Sequence, residues 1–412
     1  MTPAPTVFLS AGEASGEHYG TSLIHAIREL APDATFFGLG GERMEAAGLQ
    51  RVVRAEDVAV MGITEVIRHM PRIYGEYRKL KRSLRSRPQL PDAAVLIDFP
   101  DVNLGLAREL HRLGIPVIFF VSPQLWAWKK HRIHQVKRYV DKMLVIFPFE
   151  ERFYQEHGVE VTFVGHPLAD LPAPSVTRAE FAAANNLESA KPWIALLPGS
   201  RQKEIDLNLP AMFEAAAQLG EDVEFVLPIA PMLSLEYQAN IAAMVKSVKP
   251  HITLVHDARA ALHHARASVV ASGTATVEAA LIGNPFVVVY RISKLSYAVA
   301  KRVVKVPFVA MVNLIANREV VPELIQGDFT AANVVLHLRR LMHNENDRKN
   351  MIEDLRQVAA SLQTQDASAE SGGRENAINR VAKITVDLIS KERVGSDRQR
   401  PNSTSKLLSQ AE

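Results

Sequence analysis

The 412-residue chain contains no cysteine. That absence excludes a disulfide framework, a thiol nucleophile, an iron–sulfur cluster and any Cys-ligated zinc. It fits a cytosolic compartment, where disulfides are rare. An excess of one charge sign is lacking too: 48 Lys+Arg against 45 Asp+Glu leave a net charge of +3. A uniformly basic nucleic-acid binder is therefore not expected, and no nucleic-acid partner is predicted. The longest apolar runs, such as 115–121 and 286–290, are strand-sized and fall short of the ~18–20 residues of a membrane span. Residues 1–10 hold no Lys or Arg and soon meet Glu13 and Glu17, so a secretory signal is not expected there. These absences predict a cytoplasmic protein, which can still touch a membrane surface.

Several catalytic signatures are missing as well. Gly38 and Gly40 lack the third glycine of GxGxxG, and the serine of 12–16 sits one place too late for GxSxG. There is no Walker A lysine, no HExxH and no DxD. A dinucleotide enzyme, a P-loop ATPase, a serine hydrolase and a zincin all lose ground.

What is present is a core-forming composition, 47% hydrophobic against 23% charged, at a length that suggests two or three domains. Apolar, β-branched runs at 6–10, 35–39, 93–98, 116–121, 142–146 and 161–164 alternate with helical patterns. A second series follows at 193–197, 223–229, 252–255, 267–271 and 286–290. Continuous rather than alternating apolar runs indicate parallel strands covered on both faces, and the βαβ rhythm predicts an α/β fold of two Rossmann-like, doubly wound domains. The rhythm breaks at 170–192, where three prolines surround one short helical pattern. The expected division is 1–170 for a first domain, 190–345 for a second, 346–390 for C-terminal helices and 391–412 for a disordered tail. A cleft between the two domains is the expected ligand site.

The chemistry-bearing residues fall in loops at the C-terminal ends of predicted strands, where doubly wound folds bind ligands. In the loop 10–17, small residues permit close approach of a ligand. Ser15 reads as a helix cap, and Glu13 interrupts the run without a packing reason. Asp98 ends a buried strand, as a general base would if burial raised its pKa, or it caps a turn. Asp101 reads as the N-cap of a helix beginning near Leu104. The loop 122–130 places Gln124, Trp126 and Trp128 beside Lys129 and Lys130, forming either a substrate wall or a packed loop. His166 is a hinge, a phosphate donor or a core histidine. In the second half, Gly199 and Arg201 suit a diphosphate clamp, and Ser272, Gly273 and Thr274 open a helix whose N–H groups can hold phosphate. Glu278, one turn on, can accept from ribose hydroxyls or serve the helix dipole.

From Arg68 to Arg87 eight basic residues face a single acid, Glu76, with apolar residues interleaved. Arg68, Arg72, Ile73, Tyr77, Leu80 and Arg82 form the pattern of a basic amphipathic segment on anionic lipid. A solvated helix packing its apolar stripe on the core has the same pattern.

In this order the segments SAGEASGE (10–17), AVMGITEV (59–66), IDFPDVN (97–103), VSPQLWAWK (121–129), FPFE (147–150) and GHPLAD (165–170) resemble the lipid-A-disaccharide synthases, glycosyltransferases of the GT-B class. The resemblance continues through LLPGSRQKEI (196–205), ASGTATVEAAL (271–281) and NLIANREVVPEL (313–324), covering about 7 to 326. It implies a GT-B fold and inverting transfer of 2,3-diacylglucosamine from its UDP conjugate to 2,3-diacylglucosamine 1-phosphate. The products it implies are a β-1,6 disaccharide 1-phosphate and UDP. It also implies Asp98 as base or essential acid with Glu13 in support. Arg201, Ser272, Gly273, Thr274, Glu278 and Asn313 would hold UDP, and Ser15, Gln124, Trp126 and His166 would line the acceptor side. No metal or other cofactor is expected, because Arg201 and helix N-termini can balance the leaving diphosphate. Peripheral attachment to the cytoplasmic face of the inner membrane is expected, and a homodimer stays open. Three departures are visible: Glu17 for the usual Asp, Lys129 for Arg after the second tryptophan, and Asn317 for the glycine before Arg318. A UDP-GlcNAc 2-epimerase-like enzyme and a non-catalytic nucleotide-sugar or lipid-binding module are the competing readings.

Overall fold

The apolar runs become parallel strands because each sheet is covered on both faces. The computed structural model describes residues 4–58, 63–230, 233–304, 306–364 and 375–398, and of 63–70, 294, 295 and 394–398 it describes the backbone. In the first half, β1 (Thr6–Ala11), β2 (Thr35–Gly40), β3 (Leu49–Arg54), β4 (Ala93–Ile97), β5 (Val117–Phe120), β6 (Lys142–Val145) and β7 (Val161–Phe163) form one parallel sheet. Its order is β3-β2-β1-β4-β5-β6-β7. Leu9, Val95 and Ile118 pack into one apolar cluster, while Phe8, Leu96 and Phe119 pack into another on the opposite face. That two-sided burial is why the strands read as unbroken apolar runs.

The second half repeats the plan with β8 (Trp193–Leu197), β9 (Glu224–Pro228), β10 (Ile252–Val255), β11 (Ala267–Ala271), β12 (Phe286–Tyr290) and β13 (Glu323–Ile325). These run parallel in the order β10-β9-β8-β11-β12-β13. In both sheets the order reverses beside the first strand, between β1 and β4 and between β8 and β11. Those are the switch points at which doubly wound sheets open a crevice. The two strands absent from the sequence reading, β3 and β13, are edge strands. β3 carries two arginines and β13 has three residues, so neither produces a sustained apolar run.

The chain divides into two compact units, one of residues up to Pro167 and from Thr364 onward, the other Leu168–Gln363. The expected block of C-terminal helices is therefore split. Helix Glu345–Ser361 stays with the second unit, whereas helix Ala377–Arg398 inserts Val381, Ala382 and Ile389 beside Leu23 and Ile27 of helix Ala14–Leu30. Arg393 completes the attachment by donating to Asp92 at 2.9 Å. The helix also runs to Arg398, into the stretch expected as tail, while 399–412 lie outside the described residues. Among the described residues no helix is long and apolar enough to cross a membrane.

Candidate active site: loops at the two switch points

In the first unit the register pairs Ala11 with Ile97, so the loops that follow β1 and β4 start side by side. Asp98 and Phe99 both adopt left-handed backbone conformations, with φ of 47° and 50°. Neither is glycine, so surrounding contacts must hold the turn. Asn103, fully buried on helix Pro100–Arg112, donates from Nδ2 to the carbonyls of Asp98 (2.7 Å), Ile97 (3.2 Å) and Ser10 (3.4 Å). Ser10 Oγ in turn donates to Asn103 Oδ1 at 2.6 Å. Opposite, a Cβ on Gly12 would stand 2.3 Å from the Phe99 ring, so only glycine fits there. The serine, the glycine and the asparagine together fix the direction of Asp98.

Burial is the main reason that the Asp98 carboxyl is pushed up to about 7, with the neighbouring charge of Glu13 adding to it. Glu13 therefore lies near enough to Asp98 for its charge to act on that carboxyl. It occupies the N-cap position of helix Ala14–Leu30 without a side-chain cap bond. Ser15, read as the cap, lies inside the first turn instead. Glu17, the departure from the family pattern, accepts from Arg43 N at 2.8 Å and so serves the short helix Glu42–Ala46. Asp101 also differs from its reading: Phe99 holds the N-cap position, and Asp101 pairs with Arg132 (2.6 Å) and Lys129 (3.3 Å). Burial pulls its carboxyl upward, but the Arg132 hydrogen bond and both cations leave it below the usual range.

The tryptophan loop divides between the two readings it allowed. Trp126 is half-buried, meets the Phe149 ring edge-on at 5.0 Å, and donates from Nε1 to Glu150 at 3.1 Å. Gln124 and Trp128 are exposed, and Lys129 Nζ stands 4.1 Å from the Trp128 ring centre. Glu150 was missed as a site-forming residue. It is fully buried, its carboxyl raised to about 8 by desolvation against hydrogen bonds from Trp126, Phe147 and Ser122. The spacing Phe147–Glu150, with Pro148 opening a helix, is the only sequence signal for it. His166 is 2% exposed, and burial lowers its pKa to about 3. Packed beside Phe147, it favours the neutral form and lies within the core, which corrects its placement on an open acceptor wall.

In the second unit the loops after β8 and β11 are glycine turns into helix N-termini. Gly199 (φ 123°) leads to Arg201 at the N-cap of helix Gln202–Leu219. Buried Asn208 secures the turn by donating to the Pro198 carbonyl at 2.8 Å. The Arg201 side chain is half-exposed and pairs with Glu204 at 2.8 Å, while Glu204 also accepts from Ser200 N at 3.3 Å. Gly273 (φ 151°) is the N-cap of helix Thr274–Ile282, and both Gly273 and Thr274 are exposed. Ser272 Oγ donates to the Val309 carbonyl at 3.3 Å. Exposed helix N-termini and a half-exposed guanidinium are group types that bind anions. Glu278 is half-buried, raised by desolvation and opposed by Arg259 at 3.6 Å.

Asn313 does not join them. It is fully buried: Nδ2 donates to Val321 O (2.8 Å) and Glu323 Oε1 (2.9 Å), and Oδ1 accepts from Val320 N and Val321 N. Its amide is committed to the turn before β13, which corrects its assignment to UDP. Asn317, four residues on, takes φ 51° as the helix C-cap, so it does the work of the family glycine.

The basic stretch forms helix Ile63–Ser86. Residues 59–62 of the AVMGITEV segment and the Arg68 side chain lie outside the described residues. Leu80 and Leu84 are wholly buried in the core, with Tyr77 packed on the same cluster, so Leu80 cannot be a membrane-facing residue. The i, i+4 phase of the two leucines turns inward. Arg72 pairs with Asp57, Ile73 is half-buried, and Arg82, Lys79 and Tyr74 are exposed, with Arg78 over the Tyr74 ring at 4.5 Å.

Residues 7–376 match the lipid-A-disaccharide synthetase family. A lipid-A-disaccharide synthase of Acidobacterium capsulatum is 62% identical over 400 residues, covering 94% of this chain and 98% of the relative. One from Koribacter versatilis is 51% identical over 373 residues, covering 89% and 97%. Among solved structures, a UDP-glucose:anthocyanidin 3-O-glucosyltransferase in complex with UDP aligns with a TM-score of 0.63 at 13% identity, covering 95% of this chain and 100% of the other. A UDP-GlcNAc 2-epimerase of Neisseria meningitidis bound to UDP-GlcNAc aligns at 0.56 and 12% identity, covering 94% and 99%. At such identities these likenesses speak for the fold alone, which is GT-B. The chain is a glycosyltransferase that belongs to the lipid-A-disaccharide synthase family.

Proposed function

We propose that the chain transfers 2,3-diacylglucosamine from its UDP conjugate to the 6-hydroxyl of 2,3-diacylglucosamine 1-phosphate. The observation that carries this reading is Asp98: a buried carboxyl titrating at about 7, beside Glu13, at the first switch point. A base with that pKa is ionised enough near neutrality to accept a proton, and basic enough to draw one. The acceptor hydroxyl gives its proton to Asp98 as its oxygen bonds to the anomeric carbon. The bond from that carbon to the diphosphate breaks, and its electron pair leaves on UDP. Attack from the face opposite the diphosphate turns the α-linked donor into a β linkage.

The second unit supplies the groups that receive the leaving charge. Arg201, the backbone at Gly273 and Thr274 and the Ser272 hydroxyl would bond diphosphate oxygens, and Glu278 would accept from ribose hydroxyls. Glu204 now engages Arg201 and Ser200 N, so diphosphate binding exchanges one anion for another there. In the first unit, Gln124 and Trp128 are the exposed members of the loop assigned to the acceptor. Exposed Arg82, Tyr74 and Lys79 would meet anionic headgroups, giving peripheral attachment to the cytoplasmic face of the inner membrane.

Mass analysis of the product from defined acylated substrates tests the reaction. A disaccharide monophosphate with stoichiometric UDP is expected. Absence of UDP release with both substrates saturating would remove the transferase reading.

A further inference from the structure

Helix Lys294–Val303, in the second unit, has no buried residue among those whose side chains are described. Val299 and Val303, one turn apart on one face, are 53% and 48% exposed, and beyond the helix Val304 and Val309 are exposed too. Arg302 borders this stripe and Lys301 is exposed as well. A ten-residue helix is marginal on its own in water and normally gains its stability by burying an apolar face. Among its residues whose side chains are described, Tyr297 and Ala300 are half-buried and the rest are exposed. The surrounding sequence is also one-sided: residues 279–318 contain no Asp or Glu but carry Arg291, Lys294, Lys301, Arg302, Lys305 and Arg318. In a chain with nearly equal numbers of acids and bases, that is a local departure from the average.

We propose that the surface Val299–Arg302–Val303–Val304 is a second lipid contact, by which the donor-binding unit rests on an anionic phospholipid surface. Charge decides the occupant. A two-fold interface between copies of this chain needs self-complementary groups on one patch, and this stretch offers cations without acids. Anionic headgroups supply the missing charge, and the acyl boundary beneath them accepts the valines.

Position within the unit gives the contact a use. The helix follows β12 and so starts at the same ends of the strands as the loops after β8 and β11. The segment after it closes on the nucleotide loop, where Ser272 Oγ donates to Val309 O and the Val309 and Ala310 N–H groups donate to Glu323. A lipid surface at this helix would leave the acyl chains of a lipid-linked donor in the bilayer while its diphosphate reaches the loop. This use rests on the acylated donor of the proposed reaction, whereas the binding itself is measured without turnover.

The test is co-sedimentation of the full chain with phosphatidylcholine vesicles with and without phosphatidylglycerol. Replacing Lys301 and Arg302 by Ala should lower partitioning onto phosphatidylglycerol vesicles about 25-fold, at about fivefold per cation, and added salt should shrink the difference. V299D/V303D should weaken binding further, while calorimetric UDP affinity and the oligomeric state stay unchanged in both variants. Unchanged vesicle binding would overturn the proposal. A matching loss of UDP affinity would assign the helix a structural role instead, and dissociation of an oligomer would make it a subunit interface. If vesicle binding falls as expected but no acylated substrate turns over, the lipid contact stands and the reaction assignment fails.

Discussion

In the first unit a switch-point loop holds two non-glycine residues in left-handed conformations by a buried polar network and ends in a carboxyl pushed up to about 7. In the second the loops are glycine turns, one tied by buried Asn208, that leave Arg201, Gly273 and Thr274 exposed. The first unit spends folding energy on preparing a group: two non-glycine residues in left-handed conformations, a threefold amide anchor from Asn103, and a carboxyl at about 7. The second pair is cheap to fold, with positive φ placed on Gly199 and Gly273 and Arg201 half in solvent. Proton transfer needs a base whose pKa and direction are set beforehand, so burial serves it. A multiply charged leaving group needs accessible donors, and burying a free guanidinium while it waits would be costly.

If that division holds, damage to the first unit should appear in turnover and damage to the second in nucleotide affinity. The largest effect is expected for Asp98→Asn, which should cut kcat by at least ~10²-fold, the usual lower size of a general-base contribution, with UDP affinity unchanged in calorimetry. In the parent enzyme kcat/KM should rise with pH and level off above about 7, where Asp98 is ionised. Removing the adjacent charge with Glu13→Gln should move that acid limb down by less than the whole shift, since burial is the larger cause. The stability sign runs the other way. A raised carboxyl gives stability that is fully present below its unfolded value of 3.8 and lost as pH rises through about 7. Asp98→Asn should therefore melt higher than the parent at pH 8. Near-parental turnover or a lower melting point would break this half of the comparison.

Next in size is Asn103→Ala. It releases the turn without touching the substrate, so kcat should fall roughly 10-fold or more while UDP affinity holds. Stability should drop by about 1–3 kcal/mol, the usual cost of leaving buried carbonyls unpaired. A merely structural role would lower stability and leave the acid limb of the pH profile in place. A positioning role moves that limb along with the Asp98 environment. Arg201→Ala comes third. Losing a charge-assisted contact of about 1.5–3 kcal/mol should weaken UDP binding by roughly 10- to 100-fold and leave the pH profile of the remaining activity alone. A shifted acid limb would mean that the two units do not divide the work this way.

The two parts also differed in how legible they were. Apolar runs covered on both faces, and the loops after them, follow from composition and period, so eleven of the thirteen strands could be read directly, and with them the positions of Asp98, Glu13, Arg201 and the 272–274 turn at strand ends. Hidden from that reading was anything decided by what a polar side chain meets across the fold. Asn313 and His166 look like ligand residues in a motif, but their surroundings are already filled by Val320, Val321 and Glu323 in one case and by the core in the other. Leu80 reads as part of a lipid-facing stripe until the phase of helix Ile63–Ser86 sets it against the core. Asn103 and Glu150 escaped for the converse reason: nothing in their neighbours along the chain announces Ser10, 93 residues away, or Trp126.

The smallest expected effect discriminates well because the two readouts should separate. Among the described residues, the Ser272 side chain makes one hydrogen bond, a 3.3 Å contact from its hydroxyl to Val309 O, at a partly exposed position. Removing a surface hydroxyl of that kind usually changes stability by no more than about 0.5 kcal/mol. Turned from Val309 O to a phosphate oxygen, the same hydroxyl would make a neutral hydrogen bond worth about 0.5–1.5 kcal/mol. Ser272→Ala should therefore melt with the parent yet bind UDP roughly 2- to 10-fold more weakly. If melting falls and UDP affinity does not, the hydroxyl ties the Val309 segment in place and contributes nothing to the nucleotide. Both loops of the second unit would then be tied by side-chain contacts, Asn208 to Pro198 O and Ser272 to Val309 O, and the contrast between the units would shrink to Arg201 and the helix N-termini.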